Sequence, residues 1–339
     1  MTIADNMTEP DRAALAARSS AVAAETEPAP KGRIAPALDS DLFYSFRTSP
    51  VAIIAAFVTV FLFAVAFLAP VIAPHTPYDS ATLNLFDGKT PPATPNEFTG
   101  NVYWLGTDDQ GRDVLSTILY GTRLSLTIGF ASIALAMFIG ILAGLVAGYR
   151  GGWTETIIMR AADIQLTFPS ILVALLILGV AKGLSAEGII PSFDQGGVAF
   201  WVLILSIGLS EWVQFARVVR GATLVEKNKE YVAAARLIGR SSWVIMLRHI
   251  LPNVLGPVLV IATIGLALAI IAEATLSFLG AGMPATQPSL GTLIQTGQKF
   301  LFSGEWWILF FPALTLLALA LSVNLLGDWL RDALNPRLR

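Results

Sequence analysis

The sequence contains no cysteine, only two histidines and few charged residues. The lack of cysteine excludes disulfides, thiolate metal sites and cysteine nucleophiles. His75 and His249 are too few to form a histidine metal centre. Charged residues make up 14% of the 339 residues, whereas a typical soluble domain has about 25%. Because a lipid-facing surface needs no charge and a water-facing surface does, this deficit predicts an integral membrane protein.

Hydrophobic residues are abundant instead, at 55% of the chain, and they form six long runs. The first run, residues 51–73, has no charged side chain. At about 1.5 Å per helical residue it crosses a hydrocarbon core of about 30 Å. It begins too far along the chain, and is too long, to be a signal peptide. The other predicted spans are residues 124–147, 164–181, 198–215, 254–278 and 306–326.

These runs predict an all-α integral membrane fold, with residues 46–339 as one six-helix domain. Residues 1–45, rich in Ala, Glu, Pro and Ser, are predicted to be a disordered tail. Most Lys and Arg residues fall on the tail's side of the predicted spans, so the positive-inside rule places both termini and the loop 217–252 in the cytoplasm. The opposite loop, 74–123, is acidic and proline-rich. It could cover a pore entrance, dock an outside partner or pack against the helix ends.

The inner loop 217–252 has the residue pattern of a helix–glycine–helix elbow. Residues 226–238 favour a helix, and Gly239 can adopt a positive φ just past its end. One of the serines that follow, such as Ser241, can cap a second short helix. Pro252 is expected to break the chain before the fifth span.

The elbow helix carries three small residues in a row, Ala233, Ala234 and Ala235. Their lack of bulk would let another backbone approach closely, which suits insertion into a groove on a partner. An ordinary interfacial helix anchored by its arginines, such as Arg236, explains the same pattern equally well.

The elbow also resembles the cytoplasmic coupling loop of bacterial ABC-importer permeases, which reads Glu-Ala-Ala-x-x-x-Gly and, further on, Leu-Pro. Ala233 stands where the family has Glu, and the rest of the pattern is present. By this resemblance, the residues that couple the chain to its ATPases are Ala233, Ala234, Ala235, Arg236, Gly239, Leu251 and Pro252.

Four further segments resemble the dipeptide, oligopeptide and nickel branch of these permeases, so that the resemblance covers about residues 40–339. They are residues 104–113 (WLGTDDQGRD), 148–153 (GYRGGW), 272–280 (AEATLSFLG) and 324–332 (NLLGDWLRD). The resemblance implies a six-helix, MetI-like permease in a bacterial inner membrane. It also implies a second homologous permease, two P-loop ATPases and a periplasmic solute-binding protein as partners, besides membrane lipid.

The chain is not expected to hydrolyse ATP itself. The phosphate-binding loop needs Gly, four residues and then Gly-Lys-Ser/Thr. Gly88-Lys89-Thr90 matches only in part, because residue 83 is Leu. The predicted protein is therefore a transport subunit and not an enzyme, with no cofactor of its own, while ATP and Mg²⁺ bind to the partner ATPases. A metal site and a nucleic-acid partner are not expected either.

Two acidic residues, Glu211 and Glu273, fall inside predicted spans, where ionisable side chains are costly and usually functional. Each could line the translocation pathway, or could hold helices together through buried hydrogen bonds. Asp163 lies near a helix end and is expected to pair with Arg160, one turn away.

Gly140, Gly144 and Gly148 repeat every four residues on the second predicted span. Small residues at this spacing let helices pack closely, either within one chain or against the second permease. A gating hinge is the sharper alternative.

Three other classes of protein compete with an importer permease. A membrane-embedded enzyme, such as a protease or acyltransferase, would need a polar catalytic constellation at membrane depth, and none is apparent in the sequence. A secondary transporter needs a relay of intramembrane ionisable residues and usually inverted repeats, and the sequence offers two acids and no clear repeat. A channel would not need the elbow. The sequence leaves the solute open among peptides, nickel chelates, opines and glutathione-like molecules.

Overall fold

The computed structural model describes residues 41–78, 83–192 and 196–333, and it divides the chain into two units, Met1–Ser49 and Pro50–Arg339. In the first unit, helix α1 spans Asp41–Thr48, with Arg47 in its last turn, where a cation complements the helix dipole. Residues 41–45 are therefore helical, which corrects the boundary of the predicted disordered tail. The remainder of that tail, residues 1–40, lies outside the described residues.

The described part of the second unit contains a short 3-10 helix at Leu85–Asp87 and ten longer helices. They are α2 (Pro50–Phe67), α3 (Ala69–Ile72), α4 (Val114–Arg150), α5 (Gly152–Leu166), α6 (Ser170–Ala186), α7 (Gly197–Glu226), α8 (Glu230–Leu237), α9 (Ser242–Phe278), α10 (Leu290–Gln298) and α11 (Trp307–Ala333). Helices α2, α4, α7, α9 and α11 are each long and apolar enough to cross a membrane. The pair α5 and α6, bent by 92°, supplies a sixth span if it is counted as one. The all-α membrane fold predicted from the sequence is confirmed.

The third predicted span, residues 164–181, is wrong in position because it runs across the bend between α5 and α6. Pro169 lies in that bend with an extended backbone (φ −54°, ψ 133°). A proline offers no N–H to continue the first helix, and its ring disfavours a helical conformation at the residue before it, Phe168. The predicted span includes Gln165, Thr167 and Ser170, so polar residues as well as the proline stand at this break.

Several helices extend well beyond their apolar cores. Helix α4 begins at Val114, because the side chain of Asp113 accepts hydrogen bonds from the backbone N–H groups of Leu115 and Ser116 (3.3 and 3.0 Å). Helix α7 continues to Glu226. The two long loops are therefore shorter than the predicted 74–123 and 217–252, since both predicted ranges include helical turns.

Pro252 does not break the chain, contrary to the prediction. A π-helical turn at Ile245–Ile250 precedes it, in which the N–H of Leu251 donates to the carbonyl of Met246 five residues back. The wider turn gives the proline ring room beside the preceding carbonyls, and Pro252 then lies in the first turn of the α-helical segment that follows. The second arm of the elbow, which begins at Ser242, therefore joins the membrane span as one continuous helix.

An extensive close helix–helix contact joins α4 to α7, and the three spaced glycines of α4 form it. A Cβ atom added to Gly140 would lie 2.7 Å from the carbonyl oxygen of Trp212, and one added to Gly144 would lie 2.6 Å from that of Ala216. Gly148 meets α7 in the same way. Of the two packing alternatives, the structure shows the one within a single chain.

We expect Gly144→Leu to destabilise the protein, because the new side chain would meet the backbone of α7, which cannot move aside as a side chain can. Overpacking of this kind costs about 1–3 kcal/mol or more. The matched control is Gly179→Leu, since no atom lies within 4 Å of the Cβ position of Gly179 on α6. Thermal unfolding in detergent, monitored by size-exclusion chromatography, should show a lower midpoint temperature for Gly144→Leu only. Equal midpoints for the two variants would contradict this account of the contact.

Candidate functional site

The elbow between α7 and α9 has the helix–glycine–helix form that the sequence predicts. Gly239 ends α8 with φ +78°. Its N–H donates to the carbonyl of Arg236 (2.9 Å), and the N–H of Arg240 donates to that of Ala235 (3.1 Å), which is the Schellman pattern. Ser241 occupies the N-cap position of α9, but its side chain makes no capping hydrogen bond. Of the two predicted caps, the structure shows the glycine cap at the end of α8 but not the serine side-chain cap at the start of α9.

The outer surface of the elbow is apolar. Ala233 and Ala234 are exposed, whereas Ala235 is turned inward and buried. Next to them, Leu237 is 89% exposed and Ile238 is 76% exposed. Side chains this apolar at a helix end are typical of a surface that another protein covers.

The remaining residues of the predicted coupling set do not all lie on this surface. Arg236 and Gly239 are exposed beside the alanines. Leu251 is half-buried, and Pro252, although exposed, belongs to the helical turn that follows the π segment. Leu251 and Pro252 therefore shape the start of the span, while Ala233, Ala234, Arg236 and Gly239 form the exposed surface.

Side-chain contacts tie the elbow to three membrane helices. The guanidinium of Arg236 lies over the ring of Tyr149 on α4, 5.1 Å from its centroid. The hydroxyl of Tyr231 donates to Glu226 on α7 (2.5 Å) and accepts from Asn253 on α9 (3.3 Å). Burial and the bond to Glu226 raise the pKa of Tyr231 to about 12, so the phenol stays protonated at neutral pH. The elbow therefore contacts α4, α7 and α9 together.

A cavity of about 280 Å³ opens between α6, α7 and α9, and Glu211 lies in its wall. The Glu211 carboxylate accepts a hydrogen bond from the side-chain amide of Gln214, one turn on (2.9 Å). The other polar lining groups are the side chains of Ser170, Ser210 and Thr275. Apolar side chains form the rest of the wall. Of the two acids predicted for the pathway, Glu211 is thus the one that faces open space.

Glu273 is fully buried. One carboxyl oxygen accepts from Ser125 on α4 (2.6 Å) and the other from Ser277 (2.7 Å). The hydroxyl of Ser289, which caps α10, bonds in turn to that of Ser277 (3.1 Å). Ile271 lines the cavity, and Glu273 lies about 200° further round the same helix. The structure therefore favours the alternative in which Glu273 holds α4, α9 and α10 together, and not a place in the pathway.

Asp163 pairs with Arg217 on α7 (2.6 Å) and not with Arg160 on its own helix, as had been predicted from spacing. Glu155 makes a second ion pair across the same helices, with Arg220. These two ion pairs fix α5 along α7. The bend at the end of α5 then directs α6 toward the cavity. The partners on α7 are more than fifty residues away in sequence, so local spacing does not indicate them.

The loop before α4 is folded and packs against the ends of the bundle. Asp87 accepts hydrogen bonds from Asn101 (3.1 Å) and Tyr103 (2.9 Å), and burial together with this carboxylate raises the pKa of Tyr103 to about 12. Arg112 forms a buried ion pair with Asp108 (2.7 Å) and also donates to the carbonyl of Ala285, beyond α9 (2.8 Å). Packing against the helix ends, one of the alternatives for this loop, is therefore observed.

Two family descriptions match the chain. Residues 140–339 match the family described as binding-protein-dependent transport system inner membrane component. Residues 40–92 match the N-terminal transmembrane domain of oligopeptide transport permease C. Together these matches include α2, the end of α4 and all the later helices.

Similar proteins are found among bacterial permeases. The oligopeptide transport system permease protein OppC of Bacillus subtilis is 36% identical over 300 residues, which cover 88% of this chain and 90% of that protein. The glutathione transport system permease protein GsiD of Pectobacterium atrosepticum is 37% identical, over 87% of this chain and 89% of its own. A solved structure of the MetNI methionine ABC transporter, in inward-facing conformations, matches 65% of this chain and 96% of its own, at 19% identity and a TM-score of 0.48.

We expect Glu273→Ala to destabilise the protein, because Ser125 and Ser277 lose their acceptor in a buried site. Each unsatisfied buried group costs about 1–3 kcal/mol. The control is Glu187→Ala, since Glu187 is exposed at the end of α6. Thermal unfolding in detergent should separate the two variants. A Glu273→Ala protein as stable as the control would show that the carboxyl does not hold these helices together.

Proposed function

Because the chain belongs to the family of binding-protein-dependent transport system inner membrane components, we propose that it forms half of the pore of an ATP-driven importer for peptides. Membrane-embedded permease activity is the property of the family. The peptide substrate is supported by the relatives named for oligopeptide and glutathione transport. Both are peptidic molecules, and a pathway that serves either must pass a charged, polar solute.

The exposed elbow is the observation that carries the mechanism. Its apolar surface at Ala233, Ala234 and Leu237 has the size and chemistry of a short helix that enters a groove on another protein. Through Arg236 and Tyr231 the same elbow is held to three membrane helices. A partner that closes on the elbow would therefore move α4, α7 and α9 against one another and change the access to the cavity.

The energy for this movement comes from partner subunits in our proposal. Two P-loop ATPases bind ATP and Mg²⁺ and dock on the elbows of this chain and of a second, homologous permease, while this chain carries no cofactor. The partial phosphate-loop match at Gly88-Lys89-Thr90 supports this division. The Lys89 ammonium lies near the Glu305 carboxylate (3.5 Å) and over the ring of Phe300 (4.6 Å), so its charge is already engaged within the chain. A solute-binding protein delivers the peptide from outside.

The proposed orientation places both termini and the elbow in the cytoplasm. The excess of Lys and Arg on that side supports it. The folded loop before α4 then faces the periplasm, next to the end of α9 where the solute enters.

We expect Gly239→Asp to leave the chain inserted in the membrane but to abolish most ATP-driven uptake. Asp, like Asn, is among the residues that tolerate a positive φ, so the expected effect comes from the new carboxylate, which would be placed at the edge of the apolar docking surface. The measurement is peptide uptake by membrane vesicles, together with co-purification of the ATPases on a tagged chain in mild detergent.

Gly239→Asn is the matched control, since it has nearly the same shape, tolerates the left-handed conformation and adds no charge. Uptake should be reduced much less in this variant. Normal uptake and normal ATPase recovery with Gly239→Asp would remove the elbow from the coupling mechanism. Failure of the wild-type chain to bring down any ATPase would count against the importer itself.

A further inference from the structure

The carboxylate of Glu211 has hydrogen-bond donors around it but no cation among the residues that the structure describes. Gln214 donates to one oxygen at 2.9 Å, and the hydroxyl of Ser170 also bonds to this carboxyl. No lysine or arginine of the described residues lines the cavity. Neutral donors fix the direction of a carboxylate without neutralising it. The cavity therefore has one oriented acidic group and an otherwise neutral wall.

The acids on the neighbouring helix α5 are paired differently. Asp163 is matched by Arg217, and Glu155 by Arg220, both across the interface of α5 with α7. An acid at membrane depth without a partner is expensive to keep, and such residues usually serve a ligand or an ion. Glu273 also has only neutral donors, but its hydrogen bonds close inside the chain, whereas Glu211 lies in the wall of a cavity that a cation from outside could enter.

From this geometry we propose that the cavity between α6, α7 and α9 recognises the ammonium group of the transported solute, with the Glu211 carboxylate as its acceptor. The inference rests on the proposed function, because it treats the cavity as part of the transport pathway. The ligand class is a solute with a free primary amine, such as the amino terminus of a peptide.

The size and the walls of the cavity limit how much of the solute enters it. Its volume of about 280 Å³ lies just below the range of about 300–1,000 Å³ for sites that enclose whole ligands. The walls beside the carboxylate are apolar, formed by Ile171, Ile207 and Leu268. These features suit the ammonium and the first side chain of a peptide, while the remainder of the solute lies outside the cavity.

The chain has no cysteine, so a single introduced thiol reports on one place. Thr275→Cys puts a thiol in the cavity wall, and Leu317→Cys puts one on an exposed face of α11 as the control. In the assembled importer, we would compare the rates at which a trimethylammonium-ethyl and a sulfonato-ethyl methanethiosulfonate label this chain, measured by mass. A carboxylate that attracts cations should raise the cation-to-anion ratio of these rates at least about tenfold.

The decisive comparison adds Glu211→Gln, which preserves shape and hydrogen bonding. In that background the ratio at Thr275→Cys should fall to the value found at a free thiol in solution, and a dipeptide present in excess should no longer slow labelling. An unchanged ratio, or no labelling by either reagent, would overturn the proposal. Leu317→Cys should react slowly with both reagents, because lipid excludes the thiolate.

Transport gives an independent readout. Glu211→Gln should lose most dipeptide uptake in proteoliposomes, while the exposed-site control Glu187→Gln should keep it. Uptake by Glu211→Gln equal to that of the wild type would reject the site even if labelling were selective. If the wild-type importer moved no peptide but labelling still depended on Glu211, the peptide substrate would be wrong and the cation site would stand.

Discussion

The backbone contact between α4 and α7 is the constraint on which most of the molecule depends. Three glycines remove the side chains that would separate the two helices, so α7 lies against α4 at nearly backbone distance. Within lipid no hydrophobic effect drives helices together, and close packing of this kind has to supply the attraction. Helix α5 is then fixed along α7 by its ion pairs, and the elbow continues from the end of α7. The cavity is the space that this arrangement leaves beside α6 and α9.

Two intramembrane carboxyl groups show how environment separates residues that look alike in sequence. Glu273 is enclosed by hydroxyl groups from α4, α9 and the cap of α10, and its hydrogen bonds all remain inside the chain. Glu211 is held by neutral donors and faces an opening. Burial with complete hydrogen bonding favours a structural role, whereas an oriented group at a cavity wall favours contact with a ligand.

Much of the fold could be predicted from the sequence, because membrane spans depend on local hydropathy and Gly239 on a local backbone requirement. The parts that failed depend on other kinds of information. Pro169 and Pro252 each follow a large apolar residue in the sequence. Pro169 nevertheless lies at the break between two helices, whereas Pro252 follows a π turn that accommodates it. Asp163 has a suitable partner one turn away and another across the bundle, and only the packing of α5 on α7 decides between them.

For the candidate site, the sequence indicated the elbow and named Glu211, but it could not define the cavity. Ser170 and Thr275 lie on different helices and have no common spacing with Glu211. They become neighbours only after the bend at Pro169 turns α6 toward α7 and α9. Likewise, the partners of Glu273 come from residues as far as 148 positions away, which no local pattern records.

The π turn at Ile245–Ile250 affects the direction in which each face of α9 points. Such a turn contains one residue more than an α turn, and one residue corresponds to about 100° of rotation about the helix axis. The residues before the turn, in the elbow, are thereby offset from the face of α9 that carries Ile271 and Thr275 toward the cavity. A regular α-helix over the same residues would shift that face around the axis and turn the side of α9 that bears Glu273 in a new direction. The π turn near the elbow thus determines which way the cavity-lining face of α9 points several helical turns away.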